Sequence, residues 1–214
     1  MSRGMDKRLR RWWVLSPTLG ICLFGLLYVL AACQYPGGSN VSLKAAGFSW
    51  QHNYWCDLLG STGKNGMYNP GRPVAITAML VLGSSLSAFW WLLSYLYTNP
   101  NRMVRLGQWA GVLSMIIVLF IGTPHHDLVM NTAGLFGVLA LAATFVALYK
   151  NRLFKLGGYG LVCMLLVGAN NYVYYTHHYL YYLPIIQKIT FVLFLLWVAL
   201  INWKVYQLSQ RRIS

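Results

Sequence analysis

The feature that most constrains this chain is a run of apolar residues, about 20 long, that recurs along nearly its whole length. A helix of that length crosses a hydrocarbon core of roughly 30 Å. Charged residues make up 9% of the 214 residues and hydrophobic ones 57%. A soluble domain carries about 25% charge, so this chain lacks the polar surface to coat a globule. The expected fold is all-α: a polytopic membrane bundle of six transmembrane helices, forming a single domain over residues 1–214. The spans read as Val14–Cys33, Val74–Tyr97, Leu106–Gly122, Leu128–Tyr149, Leu156–Tyr175 and Leu183–Trp203. Between the first two lies the only long polar segment, 34–72, with Pro-Gly-Gly and Asn-Pro-Gly turn signals near its ends.

The basic residues orient these spans. With six spans both termini share a side, which collects 13 Lys and Arg in the head, the even-numbered connectors and the tail. These include Arg3, Lys7, Arg8, Arg10, Arg11, Arg102, Arg105, Lys150, Arg152, Lys155, Lys204, Arg211 and Arg212. Lys44, Lys64, Arg72 and Lys188 fall on the other side. The positive-inside rule therefore predicts cytoplasmic termini, with a bacterial cytoplasmic membrane as the expected location. Trp12 and Trp13 are placed as interfacial anchors. The net charge of +14 belongs to these flanks and to contacts with anionic lipid. No basic stripe occurs outside them, which argues against nucleic acid as a partner.

Other classes fall away on composition and spacing. The chain has no glutamate, so catalysis by a glutamate pair is excluded. Gly60-Ser-Thr-Gly63-Lys64-Asn65 resembles a phosphate loop, but its glycines are too close and Asn follows the lysine. It reads as a turn. Gly83, Ser84 and Ser87 give the second span a small face for helix packing, and Gly107 and Gly111 give the third a GxxxG spacing. Cys22 and Cys163 read as packing residues. Leu30-Ala31-Ala32-Cys33 has the form of a lipobox, while Cys33 and Cys56 fall on one side and are compatible with a disulfide. Cys33 can serve only one of these roles.

The topology brings His52, Asp57, His125, His126, Asp127, His177 and His178 to one outer face, which accounts for every histidine in the chain. One reading is a metal site: His126, His177 and Asp57, completed by His52 or Asp127, form a donor set of the kind zinc takes. Zinc is then the possible cofactor, and an open position would activate water, with Asp57, His126 and Asp127 as candidate catalytic residues. A second reading is a polar cluster that senses protons or binds lipid headgroups. A third is helix capping, with Asp127 as the N-cap of the fourth span.

The later spans extend the cluster. Asn170, Tyr174 and His177 lie on one face of the fifth span, and Asn171, Tyr174 and His178 make a similar set. Unpaired amides are expensive in lipid, so Asn170 and Asn171 are expected to face the bundle. Lys188 is expected either to snorkel outward or to pair with Asp57 or Asp127 and close an outward polar pocket. Asn170, Tyr174 and Lys188 are then the substrate-binding candidates.

Asp57-Leu58-Leu59-Gly60, Asn69-Pro70-Gly71 and His126-Asp127-Leu128, set in a six-span layout with a long first outer loop, resemble the FRAG/DRAM/SFK-like six-span membrane proteins and their bacterial relatives. The extra leucine before Gly60 and the two His-His pairs depart from that pattern. The resemblance implies a role in lipid organisation or lipid-anchor processing. Two functions are thus expected from the sequence. One is a lipid- or partner-binding bundle, with membrane lipids or a protein at the outer face as partner. The other is a zinc-dependent membrane hydrolase or transferase acting on lipids.

Overall fold

The structure, a computed structural model, describes residues 12–96, 102–120, 123 and 125–211. The basic head 1–11, the connector 97–101, Gly122, Pro124 and Arg212 lie outside the described residues, as do the side chains of His126 and Arg211. Among the described residues six helices follow one another: α1 (Ser16–Cys33), α2 (Arg72–Leu92), α3 (Arg102–Val118), α4 (His126–Lys150), α5 (Phe154–Thr176) and α6 (Leu183–Arg211). Short 3-10 turns occupy Trp55–Leu59, Leu93–Leu96 and Leu180–Tyr182. No strand occurs among the described residues. Isolated bridges at Gly37–Ala46 and Thr62–Tyr68 pin the long loop.

Local chemistry sets the helix ends. Pro17, Pro73 and Pro184 are each the second residue of their helix, where the missing N–H has no intrahelical partner to lose and the ring presets φ. α4 ends where Asn151 turns its amide back, donating to Ala147 O and Leu96 O at 2.8 Å each. α5 ends at Thr176, and His177 and Tyr179 then adopt left-handed φ of 59° and 63°. Glycine normally fills such positions.

Among the described residues five helices are long and apolar enough to cross a membrane: α1, α2 with its 3-10 extension, α4, α5, and α6 with its preceding turn. Their uncovered faces are apolar, as Leu19, Leu26, Leu30, Leu135, Leu161 and Leu165 show. Such faces match lipid rather than water. The third helix departs from expectation. It starts at Arg102 rather than Leu106 and stops at Val118, giving 17 residues. The arginines of the connector are its first turn, and i→i−3 bonds from Leu119 to Ile116 O and Phe120 to Ile117 O tighten the chain out of the α-helix.

The chain forms two compact units. Of the described residues, the first holds those within 12–22, 81–159 and 196–211. Its core is Phe89, Leu93, Ala140, Thr144, Ala147, Leu148, Trp197, Val198 and Ile201, all essentially sealed from solvent. Trp197 Nε1 donates to Leu156 O at 2.7 Å, and Asn202 Nδ2 donates to Thr18 Oγ1 at 2.9 Å. α3 lies against α4. A Cβ placed on Gly107 would overlap that of Ala143, and one on Gly111 would overlap the Trp90 ring. The expected small-residue spacing on α3 is therefore a true close approach. The small face of α2 is shifted: Ser84 is exposed, and it is Ser85 that sits against Gly20.

The second unit holds residues 23–80 and 160–195. It comprises the long loop with the helix segments around it. A Cβ on Gly71 would overlap Ala31 O, so glycine lets the start of α2 meet the end of α1.

Candidate functional site

The loop of the second unit is polar in sequence but folded around buried asparagines. Asn53 is fully buried. Its amide donates to Gly38 O and to Asp57 Oδ2 at 3.0 Å each, and its Oδ1 accepts from Ser49 N at 2.9 Å. Asn69 is also fully buried. It donates to Leu58 O and Gly60 O and accepts from Gly71 N, all at 3.0 Å. Asn65 donates to Pro36 O and accepts from Met67 N. Each amide satisfies backbone groups that a non-repetitive segment cannot pair with itself. Gly37 and Gly38, at φ of 123° and 81°, supply the backbone conformations that bring the Pro-Gly-Gly turn against this network.

Asp57 is absorbed by the same network. Its Oδ2 accepts from Tyr54 N at 2.9 Å, closing the start of the 3-10 turn. Its Oδ1 lies 3.4 Å from Lys64 Nζ. Arg72 Nε donates to Leu59 O at 3.1 Å, tying the loop to the first residue of α2.

Above this frame sits an aromatic cluster. Tyr28 stacks obliquely on Trp55, with ring centroids 4.8 Å apart, and donates to Trp55 O at 3.0 Å. Phe24, Phe191, Trp50, Phe48 and Tyr35 extend the cluster through edge and tilted contacts. Two consecutive residues of α6 then hold the loop. Gln187 Oε1 accepts from Trp55 N at 3.2 Å, and Lys188 Nζ donates to Asn53 O and, at 3.0 Å, to Pro184 O. The ammonium lies 5.6 Å from the Phe48 ring centroid and 6.0 Å from that of Trp55. Both are within cation–π range.

The electrostatics follow from burial. Burial first, and then the nearby Asp57 charge, pushes the Cys56 thiol up to about 11. It is a neutral thiol at physiological pH and a poor nucleophile. The Tyr54 hydroxyl is raised for the same two reasons. The Tyr35 hydroxyl is raised by burial, although the N–H that Lys64 donates to it opposes the shift.

The residues expected from sequence are distributed as follows. His52, Asp57, Asn170, Tyr174, His177 and Lys188 belong to the second unit; His125, His126 and Asp127 belong to the first, at the start of α4. The His126 side chain lies outside the described residues. Among the described residues, no three His, Cys or Asp side chains gather as a metal would require. In particular His52, Asp57 and His177 do not: Asp57 caps its turn, the His52 ring packs on Tyr181 at 5.2 Å, and His177 is exposed. Asp127 is not the N-cap of α4. His125 holds that position, and Asp127 falls in the first turn, where its charge still favours the helix dipole.

Lys188 does not pair directly with an acid. Asp57 takes Lys64, and Asn53 stands between Asp57 and Lys188, bonded to both. Asn170 does face a neighbouring helix, donating to Thr190 Oγ1 at 2.6 Å, whereas Asn171 is exposed. Cys33 and Cys56 are free thiols rather than a disulfide, with Cys33 exposed.

Sequence reasoning missed Asn53 and Trp55, and it gave neither Asn69 nor Gln187 the role it has here. Asn69 stands beside Pro70-Gly71, a turn signal, whereas Asn53, between His52 and Tyr54, has no such neighbour. No protein-family model, no curated protein and no solved structure matches the chain.

Proposed function

We propose that this chain is a six-span membrane protein with cytoplasmic termini, set in a bacterial cytoplasmic membrane, whose loop between α1 and α2 recognises lipid headgroups at the outer surface. The observation that carries the reading is the clamp. Gln187 and Lys188, consecutive on α6, hold the backbone of Trp55 and Asn53 in place. A loop fixed at the end of an apolar helix presents polar groups already in position, and this lowers the ordering entropy that binding would otherwise cost. The basic excess of the loop, with Lys44, Lys64 and Arg72 against Asp57, favours anionic headgroups. The layout shared with FRAG/DRAM/SFK-like proteins points the same way. In this reading the sixth span is α3, a 17-residue helix that lies against α4.

Native mass spectrometry of the full chain, extracted in mild detergent, tests the reading. Wild-type protein is expected to retain lipid at fixed stoichiometry, and Gln187→Ala, which frees the Trp55 amide, is expected to retain several-fold less. Lipid retained only in proportion to its bulk concentration, and equally by both proteins, would overturn it.

A further inference from the structure

Six of the chain's 15 tyrosines fall within residues 172–182, at the turn from α5 into α6. Tyr172, Tyr174, Tyr175, Tyr179, Tyr181 and Tyr182 are all exposed, Tyr179 the most at 72%. Tyr174 meets Tyr175 edge to face, as Tyr181 meets Tyr182, with 5.2 Å between centroids in each pair. Tyr181 also packs on the His52 ring at 5.2 Å, so this lip lies beside the folded loop. His177 and Tyr179 hold left-handed φ of 59° and 63°, and both side chains are exposed. That conformation is costly for a residue with a Cβ, and an exposed ring recovers little of the cost by packing within the chain. Strain of this kind persists where the side chain has a use.

The neighbouring surfaces say what covers the lip. On α5 the exposed Leu161, Leu165 and Tyr172 recur at i, i+4 and i+11, one stripe along the helix. On α6 Ile189 and Val192 are exposed at i and i+3. Both helices are long and apolar enough to cross a membrane, so their bare stripes match acyl chains, and the tyrosines stand where those stripes end. A tyrosine at that boundary has an apolar ring for the chains and a hydroxyl for the headgroup region, and it is enriched there. Charge adds a second constraint. No Lys, Arg, Asp or Glu occurs in residues 156–187, so the lip has none of these charges with which to select an anionic headgroup.

We propose that residues 172–182 form an interfacial lip, whose tyrosine rings insert among the glycerol and headgroup layers of the outer leaflet and hold the α5–α6 turn at that depth. The partner is the bilayer boundary itself, of neutral and anionic phospholipids alike. Insertion also offsets the left-handed φ of Tyr179, the ring with the most surface to cover. This rests on the membrane-spanning part of the reading above and not on headgroup recognition by the loop.

The test uses the full chain labelled with meta-fluorotyrosine, in lipid discs that hold one copy each. Tyr172→Phe, Tyr179→Phe and Tyr182→Phe each keep the ring and identify one fluorine signal by its disappearance. Phosphatidylcholine carrying a nitroxide, either on the headgroup or at the end of an acyl chain, is then included in the discs. The three signals are expected to broaden several-fold more with the headgroup nitroxide, and equally in neutral and partly anionic discs. No broadening by either lipid would place the lip in water, and strongest broadening by the chain-end nitroxide would place it in the hydrocarbon; both would overturn the proposal. Broadening that requires anionic lipid would overturn it too. So would shielding from a water-soluble quencher seen only in discs with two copies, which would assign the lip to a second copy of this chain. A chain that never enters the discs would sink the lip and the membrane reading together. Graded broadening from a wild-type chain that retains lipid only in proportion to its bulk concentration would end the headgroup reading alone and leave the lip.

Discussion

Asn53 is the residue on which the loop turns. Its side chain serves Gly38, Ser49 and Asp57 while its carbonyl receives Lys188. Asn53→Ala leaves several of these groups buried and unpaired, and the expected loss is about 3 kcal/mol, read as a lower midpoint in thermal unfolding in detergent. The Lys64–Asp57 pair is a useful contrast. The Lys64 side chain is 39% exposed, so Lys64→Ala should cost no more than about 1 kcal/mol. Cys56 gives a pH signature. Its folded thiol titrates near 11 against an ordinary 9.0, so the fold binds that proton more tightly than the unfolded chain does. The stabilisation is complete below pH 9 and is lost as pH rises towards 11. Unfolding midpoints of wild type should fall through this window more steeply than those of Cys56→Ala; parallel curves would contradict the assignment. From sequence, Asp57 and the histidines drew attention because acids and imidazoles carry chemistry. Burial of an asparagine depends on contacts far along the chain, and no local pattern announces it.

The apolar runs made five of the helices legible to within a few residues at most starts, because an apolar run is a local property. The register of α3 was harder. Its arginines look like connector residues, yet they form its first turn, since an arginine at a helix end reaches polar surroundings without breaking the helix. Small residues were legible by position on α3, where Gly107 and Gly111 make the close approaches, but not on α2, where Ser85 rather than Ser84 faces Gly20. The α3 glycines can be tested as a set. Gly111→Ala and Gly107→Ala meet Trp90 and Ala143, and each should destabilise by about 1–3 kcal/mol. Gly134 of α4 has open space where a Cβ would go. Gly134→Ala should therefore be neutral or stabilising by up to about 1 kcal/mol, with thermal midpoints of the three variants as the measurement.

At the scale of the whole chain, the proposed topology makes its own forecast. Cysteines placed at Lys44 and Arg152, in a background lacking native cysteines, should label from opposite sides of the membrane. Lys44 should react with an impermeant maleimide on intact cells and Arg152 only after permeabilisation; labelling of both from outside would overturn the proposed orientation. The clamp also has a consequence in time. Trp55 and Asn53 are held by residues 132 and 135 positions later. A growing chain emerges from the ribosome N-terminus first, so the loop leaves it long before Gln187 and Lys188 are made. Until α6 is made, the Trp55 amide and the Asn53 carbonyl lack these two partners. Closure of this clamp is thus confined to chains whose synthesis has reached α6.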